Sequence, residues 1–539
     1  MPEEAIELVN PELRKTLFEI LRRHGEVNPA YRQEALTFVQ KRMGDLERHI
    51  ADTFFNGQQD IWSKAPEVRV TAPNWTAFNS KEYEAARNAV SSGGLKFSAG
   101  IWYLTGRLGS RFSPVIVPDG ERLSIEDVIN FCHRVGVTGI AWHTRGEMGP
   151  GNRDAILENL KTRNMHVSSE FANLFTETTM KFGGITSGYA AVRELSYLRK
   201  LEGMLWCGQD GADFQVDWLG QDGPLVYQPN APRRRLLIEY MADALMLTEM
   251  PIAIEYKTGD PAVKMTEKDV TAALDMAKEA ESLVYSRIKQ QVLEGMGGKL
   301  NAANALAWTT ESVRLFSRLA GKIGLNIEDG HDYTESARTT SHAVEEGINS
   351  PLTPDFLSDV HFLKTANIEV IEANEVIKHF KGRLFHRHPN DSFIGQGDPD
   401  FIPASVHETD FVVAAYHEQK AGLHKEISYE PDLYAVRGDP LKDFVEAINR
   451  VNRGHAIAAN LIAIEKKEGL SCILDQPQEK FSRYYVMAVQ EMPLNYQRID
   501  LDIVDKFREE VGKPIKFPYV PLQGHGKSLP IAKARASPN

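Results

Sequence analysis

The 539-residue sequence contains no long apolar run, few cysteines and no excess of positive charge. No segment approaches the roughly 18 consecutive apolar residues that a membrane-spanning helix needs. Its three cysteines, Cys132, Cys207 and Cys472, are too few and too scattered for a disulfide framework or a thiolate metal site. The formal net charge of −12 argues against binding to a phosphate backbone, which requires a basic face. We therefore expect neither a membrane protein nor a nucleic-acid-binding protein.

The composition indicates a folded, enzyme-sized protein. Hydrophobic residues make up 42% of the chain and charged residues 25%, which is typical of globular proteins. The first residues, MPEEAIELVNPELRK, lack the apolar stretch of a secretion signal. The sparse cysteines fit a reducing compartment. We therefore expect a cytoplasmic location.

Hydrophobic spacing divides the chain into three regions. Residues 1–95 carry apolar side chains at helical spacing, which predicts an N-terminal helical extension. Residues 96–469 alternate short apolar runs with amphipathic helices in eight strand–helix units, which predicts an α/β fold, the (β/α)8 TIM barrel. Stretches at about 280–310 and 349–381 are longer than one crossover needs and predict insertions. Residues 470–539 have little periodicity and predict a long, extended C-terminal arm.

Local signals refine the barrel prediction. The helix SIEDVINFCHRVG is predicted to begin after Ser124, a suitable N-cap, and to end at Gly136. The apolar run MLWCGQDG is interpreted as the fourth strand, and LHKEISY as the eighth.

Ionisable side chains concentrate where the predicted strands end, and TIM-barrel active sites lie at that end of the barrel. Strand residues two apart point to the same face. The pairs that face one mouth in this way are Glu255 and Lys257, His386 and His388, and Glu426 and Ser428. Converging acids need cations, and carboxylates with an occasional imidazole are typical of Mg, Mn or Co sites. The alternative is a set of salt bridges among the barrel loops.

A series of motifs in this order resembles the xylose isomerase family of metal-dependent aldose–ketose isomerases, over roughly residues 96 to 465. The motifs are FSAGIWY, GVTGIAWH, ANLFTETTMKFGGITS, MLWCGQDG, IAIEYKTGDP, GLNIEDGH, GRLFHRHPND, GDPD and KEISYEP. The resemblance implies a TIM barrel that binds one or two divalent cations per chain, Mn²⁺, Mg²⁺ or Co²⁺, and no organic cofactor.

The resemblance also implies roles for individual residues. His143 would be the acid–base group for ring opening, Glu147 the carboxylate that orients it, and Lys257 the catalytic lysine. The implied metal ligands are Glu255, Glu328, His331, His388, Asp398 and Asp400. The implied substrate pocket consists of Trp102, Phe175, Trp206, His386 and Asn390.

Two positions depart from the family pattern at the first metal. His388 and Ser428 stand where the family has aspartate ligands, and Glu426 is an alternative replacement for the second of these. Phe171 also replaces a small polar residue. Because these changes alter which oxygens the first cation holds, we expect a substrate other than plain xylose.

The leading hypothesis is therefore a metal-dependent sugar isomerase with a small-molecule sugar substrate. One alternative is a related barrel enzyme, an epimerase, dehydratase or lyase acting on a sugar or sugar acid with a single metal. Another is a non-catalytic sugar-binding barrel. The resemblance further implies a homodimer or homotetramer, because the family's C-terminal arm wraps neighbouring subunits.

Overall fold

The fold is built around a closed barrel of eight parallel strands. The computed structural model describes residues 7–55, 66–105, 117, 119–174, 180, 182–220, 222, 233–256, 269–335, 339–393, 400–433, 439–492 and 496–515. The strands are β1 (Lys96–Gly100), β2 (Gly139–Thr144), β3 (His166–Ala172), β4 (Phe214–Trp218), β5 (Ile252–Glu255), β6 (Ile323–Glu328), β7 (Leu384–His388) and β8 (Ser428–Tyr429). Each strand pairs with the next in chain order, and β8 pairs with β1. The predicted TIM barrel is confirmed.

Helices surround the barrel and extend it at both ends of the chain. In the described residues they are α1 (Pro11–His24), α2 (Pro29–Phe54), α3 (Trp75–Phe78), α4 (Lys81–Ser91), α5 (Ile101–Leu104), α6 (Ile125–Val135), α7 (Arg153–Lys161), α8 (Ala190–Asp210), α9 (Arg234–Thr248), α10 (Asp269–Gly295), α11 (Ala305–Ser317), α12 (Asp329–Glu335), α13 (Thr340–Asn349), α14 (Pro354–Thr365), α15 (Ile371–His379), α16 (Glu408–Ala421), α17 (Pro440–Glu468), α18 (Gln478–Gln490) and α19 (Asp502–Glu510). None of these combines the length and apolarity that a bilayer crossing needs.

The N-terminal region consists of α1 to α4, which pack against the barrel's own helices. Asn10 and Asn28 cap α1 and α2, each accepting a hydrogen bond from a backbone N–H of the first turn. One face of α2, including Val39, Met43 and Ile50, is buried. This face packs along α8, so the extension covers one side of the barrel.

The helix α6 ends where its sequence predicts. The Ser124 side chain accepts a hydrogen bond from the Asp127 backbone N–H, and the Asp127 carboxylate accepts one from the Ser124 backbone N–H. Gly136 ends the helix in the left-handed region, with φ 91°. Both predicted boundaries are confirmed.

The predicted fourth strand, MLWCGQDG, is wrong. Met204, Trp206 and Cys207 lie in the last turns of α8, and the strand is the following segment FQVDW. A short apolar run in a helix that is buried on several sides looks like a strand by hydrophobicity alone. The true strand was overlooked because Gln215 and Asp217 are polar, although both are buried.

The described part of the C-terminal region contains two helices, so the predicted extended arm is wrong for α18 and α19. Ala488 of α18 is buried with Leu461 and Ile464 of α17. Phe507 of α19 packs edge-on against Phe131, with ring centroids 5.1 Å apart. These helices are short, and burial against the barrel helices stabilises them more than their own sequence does. Residues 516–539 lie outside the described range.

The two predicted insertions coincide with additional helices. The segment between β5 and β6 contains α11 after the long α10, and the segment between β6 and β7 contains α14 and α15 after α13. These helices pack against one another on the outside of the barrel.

Candidate active site at the carboxyl end of the barrel

Neighbouring strands bring acids and imidazoles together at the carboxyl ends of β5 to β8. Glu255 ends β5 and pairs in register with Asn326, and Glu328 ends β6 and pairs with His388 of β7. Glu430 follows β8, and its backbone N–H donates to the Arg387 carbonyl. All of these side chains are buried. The barrel therefore closes around a cluster of ionisable groups.

Asn326 organises the centre of this cluster. Its Nδ2 donates to Glu255 Oε2 at 2.7 Å and lies 3.2 Å from His388 Nδ1. Its Oδ1 lies 3.1 Å from His386 Nδ1, which is the donor of that bond. His386 therefore carries its proton on Nδ1, and its Nε2 presents a lone pair.

Glu430 faces both histidines of β7. Its Oε2 lies 3.6 Å from His386 Nε2, and its Oε1 lies 3.5 Å from His388 Nε2. These two nitrogens and Oε1 are buried, and none has a hydrogen-bond partner within the described part of the chain. Buried polar atoms without partners are costly. Carboxylate oxygens and unprotonated imidazole nitrogens donate lone pairs to a cation, and oxygen donors with one or two imidazoles fit a divalent ion.

A second group of donors adjoins the first through Glu328. Glu328 Oε1 lies 3.4 Å from His331 Nε2. Asn390 Nδ2 donates to Glu328 Oε1 and to Asp400 Oδ1, both at 2.8 Å. The Asp400 carboxylate therefore lies beside that of Glu328. Donor atoms of Glu255, Glu328 and His331 lie close enough together to hold one ion. Asp398 lies outside the described residues.

The electrostatics of the cluster favour an added positive charge. Burial disfavours the charged form of His388, but the carboxylates of Glu255, Glu328 and Glu430 outweigh burial and raise the His388 pKa well above its usual range. Burial raises the pKa of Glu430, and His388 opposes this shift. A metal ion would displace the proton from His388, because only the neutral imidazole binds metals.

His143 and Glu147 form a separate acid–base pair on the other side of the mouth. His143 ends β2, and its Nδ1 lies 3.2 Å from Glu147 Oε2. The same carboxylate oxygen accepts the His143 backbone N–H at 2.9 Å. Burial would raise the pKa of Glu147, but the neighbouring His143 outweighs burial and lowers it. Glu147 is therefore a carboxylate that fixes the imidazole's orientation.

A row of aromatic rings connects this pair with the cluster of acids and imidazoles at the ends of β5 to β8. Trp102, in α5, has its ring centroid 4.7 Å from that of His143 and 5.1 Å from that of Phe171. Phe171 stacks on His388, with centroids 5.4 Å apart and planes at 23°. Trp102 Nε1 donates to Asp432 Oδ1 at 2.9 Å. These contacts place an apolar, water-excluding surface between the two groups of ionisable residues.

Several sequence-predicted site residues lie elsewhere or are outside the described range. Trp206 is in α8, outside the barrel, where the Arg153 guanidinium lies 5.8 Å from its ring centroid, so its predicted place in the substrate pocket is wrong. The error follows directly from the misplaced fourth strand. Lys257 and Phe175 lie outside the described residues.

Glu426 and Ser428 do not belong to the cluster of acids and imidazoles at the barrel mouth. Both precede or begin β8, and Glu426 is about half exposed and forms an ion pair with Lys381, which precedes β7. Ser428 hydrogen-bonds with Ser98 of β1. Because parallel strands all run the same way, residues before β8 belong to the opposite end of the barrel. The position left open by the sequence is occupied by Glu430.

Three residues of the cluster were missed as site residues by the sequence. Glu430 stands two residues after Ser428, in the motif KEISYEP, and the same two-residue spacing that united His386 and His388 could have identified it. Asn326 and Phe171 are internal strand residues, and their role depends on cross-strand neighbours. In the described chain, donor atoms of His386, His388 and Glu430 lie close enough together to hold one ion.

A groove of about 1160 Å³ lies outside the barrel, between α1 and helices α9 to α11. Its described lining mixes apolar residues such as Phe18 and Leu315 with arginines such as Arg14 and Arg318, and it includes no member of the cluster. The convergence of ionisable side chains at the strand ends, rather than the size of a groove, marks the candidate site.

Solved structures similar to this chain exist, whereas the comparisons by sequence found none. No family model matches the sequence, and no curated protein is significantly similar to it. Among solved structures, the chain is similar to a xylose isomerase domain protein from Planctomyces limnophilus. The two are 9% identical, the match covers 68% of this chain and 98% of that one, and the TM-score is 0.37.

Proposed function

We propose that this chain is a divalent-metal-dependent enzyme that interconverts aldose and ketose forms of a sugar or sugar derivative other than plain xylose. The observation that carries the proposal is the buried set of Glu255, Glu328, His388 and Glu430 at the barrel mouth, in which His388 Nε2 and Glu430 Oε1 lack hydrogen-bond partners among the described residues. The separate His143–Glu147 pair supplies the acid–base group that ring opening requires.

The proposed first cation is held by His386, His388 and Glu430. The proposed second cation is held by Glu255, Glu328 and His331, together with Asp400 and Asp398. When bound, the cations supply Lewis-acid polarisation of adjacent substrate oxygens. Asn326 and Asn390 orient the carboxylates through hydrogen bonds, as outer partners of metal ligands commonly do.

In the proposed reaction, His143 exchanges a proton with the ring oxygen of the sugar. The Glu147 carboxylate beside Nδ1 favours the tautomer with the proton on that nitrogen, which leaves Nε2 to accept and return a proton. By resemblance, Lys257 is proposed to stabilise negative charge at the substrate carbonyl oxygen. Trp102 and Phe171 exclude water and pack against the C–H face of the sugar.

The proposed departure from xylose rests on His388 and Phe171. An imidazole at the first metal replaces a negative ligand with a neutral one, so the cation retains more positive charge for substrate oxygens. Phe171 narrows the mouth beside His143 and holds the His388 ring by stacking.

A second candidate is a single-metal epimerase, dehydratase or lyase acting on a sugar or sugar acid. The observation that favours it is that donor atoms of His386, His388 and Glu430 lie close enough together for one ion, whereas the second centre depends also on Asp398. Glu255 or Lys257 would then be the base, as the sequence suggests.

Metal analysis of the purified protein, followed by assays of aldoses and ketoses with Mn²⁺, Co²⁺ and Mg²⁺, tests the proposal. Two ions per chain and aldose–ketose conversion are expected, and one ion would favour the second candidate. No bound divalent metal would contradict both enzymatic functions and favour a sugar-binding barrel.

Two glutamates of the β8 segment provide a matched pair of variants. Glu430→Gln should lower the metal content and the activity, because it removes a proposed ligand from the mouth. Glu426→Gln, four residues earlier at the opposite end of the barrel, should leave both unchanged. Equal effects of the two substitutions would contradict the assignment of Glu430.

A further inference from the structure

The N-terminal helix α2 contacts the loop that carries the acid–base pair. Glu47 of α2 accepts a hydrogen bond from Arg199 of α8 at 2.9 Å, and its carboxylate lies 3.7 Å from the Arg145 guanidinium. Gln40, on the same face of α2, donates to Glu202 of α8 at 2.9 Å. The extension therefore contacts barrel residues directly behind the candidate site.

Arg145 is the centre of this network. Its Nε and Nη2 donate to the two carboxylate oxygens of Glu202 at 2.6 and 3.2 Å, a forked contact. Glu202 is almost completely buried, whereas Glu47 is 29% exposed. Two acids and two arginines, Glu47, Glu202, Arg145 and Arg199, make a charge-balanced group.

The backbone of Arg145 is strained. Its φ of 61° lies in the left-handed region, which a non-glycine residue with a long side chain seldom adopts. Such a conformation persists only where the surroundings impose it. Here the Arg145 side chain is held by the forked ion pair to the buried Glu202 carboxylate.

The strained turn sets the position of Glu147 relative to His143. The Arg145 N–H donates to the Met148 carbonyl at 2.6 Å, and the Gly146 N–H donates to the His143 carbonyl at 3.0 Å. This tight turn folds Glu147 back onto His143. A Cβ at residue 146 would lie only 2.9 Å from His143 Cβ, so the turn has little room to rearrange.

We propose that Arg145, held by Glu202 and by Glu47 of the N-terminal extension, is a positioning residue that keeps Glu147 on His143. The extension thereby supports the acid–base pair without touching substrate. This inference rests on the proposed function for its effect on turnover, but its structural part can be tested without a substrate.

The test combines hydrogen–deuterium exchange of residues 143–149 with steady-state kinetics on the sugar that the wild-type enzyme converts. Arg145→Asn retains a residue that tolerates the left-handed region and removes the guanidinium. Exchange of the turn should accelerate about tenfold and kcat should fall by roughly 10- to 100-fold, with KM and metal content nearly unchanged. Arg145→Lys, which keeps one charge near Glu202, should recover part of kcat.

Glu47→Gln and Arg42→Gln form the matched comparison on α2. Arg42 makes an ion pair with Glu194 of α8, also between α2 and α8, and the described contacts of Glu194 do not include the turn. Glu47→Gln should accelerate exchange of residues 143–149 and lower kcat by a few-fold, and Arg42→Gln should do neither. Glu47→Gln also tests the proposal if Arg145→Asn fails to fold.

Unchanged exchange in Arg145→Asn, or equal acceleration in Arg42→Gln, would overturn the inference, as would a rise in KM with no fall in kcat. If the wild-type protein converts no sugar, the proposed function fails, while the exchange comparison still decides whether Arg145 anchors the turn.

Discussion

Buried acids occur in two regions of this protein, and their partners differ. Between the strands and the outer helices, acids are paired with arginine or lysine: Glu281 with Arg383 at 2.8 and 3.0 Å, and Asp217 with Lys200 at 3.1 Å. At the barrel mouth, the described contacts of Glu255 and Glu430 are with imidazoles, an amide and hydroxyls. Each of these two outer acids has its own buried cation, whereas the described contacts of Glu255 and Glu430 include no arginine or lysine.

An apparent exception in the outer layer clarifies this difference. Glu170 of β3 and Asp210 of α8 share the neighbourhood of a single arginine, Arg153. Burial and Asp210 raise the pKa of Glu170 well above its usual range, so the surplus acid is neutral. Protonation of an acid balances this structural site, whereas at the mouth the acids face His388 and raise its pKa instead.

The largest effect is expected from Glu328→Gln, because Glu328 belongs to the proposed second centre and its Oε2 lies 3.7 Å from Nδ1 of His388 in the first. Metal content should fall towards background, and activity should fall on the order of 10³-fold, as on removal of a key electrostatic group. Metal analysis and kinetics on the same preparation measure both. Retention of full metal content would contradict the proposal that Glu328 is a metal ligand at the mouth.

Breaking the buried ion pair of Arg383 and Glu281 should lower the protein's stability without changing its metal content. Arg383→Met leaves Glu281 buried without its cation, which should lower the free energy of unfolding by about 3–5 kcal/mol. The double variant Arg383→Met/Glu281→Met should regain much of that loss. Urea denaturation measures both, and metal content per folded chain should be unchanged. Loss of metal in Arg383→Met would contradict the distinction between the paired acids of the outer layer and the acids at the mouth.

His388→Asp tests how the imidazole shapes the mouth. A carboxylate there adds negative charge and replaces nitrogen with oxygen, so preference should shift from Mn²⁺ or Co²⁺ towards Mg²⁺ by about tenfold in relative affinity. Competition binding of the three metals measures the shift. His379→Asp, at an exposed position of α15, is the control and should change nothing.

The smallest effect concerns an imidazole surrounded by cations in the outer layer. Burial, with Arg163, Arg87 and Arg134, lowers the pKa of His133 to about 4 from its ordinary value of 6.5. The unfolded chain therefore binds a proton that the folded chain does not, and stability should fall as the pH drops from 6.5 towards 4. His133→Phe, which keeps the stacking on Phe78, should weaken this acid dependence of Tm. An unaltered pH dependence of Tm in His133→Phe would contradict the lowered pKa of His133 as its cause.

Much of the fold could be predicted because barrel strands and helices have local signals. The Ser124 cap and Gly136 stop were predicted correctly, as were the strands that contain His143, Glu255, Glu328 and His388. The fourth strand was not, because α8 is apolar on several faces and β4 carries buried Gln215 and Asp217. The extended arm was wrong because α18 and α19 are stabilised mainly by contacts distant in sequence.

The sequence by itself determined the barrel class and most residues that approach its mouth, because alternation along a strand decides which side chains share a face. Only the tertiary structure decided that Glu430 joins the cluster while Glu426 lies at the far end, and that Trp206 lies outside. It also decided that α2 reaches Arg145 behind the acid–base pair. Strand register and helix docking depend on partners hundreds of residues away, and local periodicity contains no information about them.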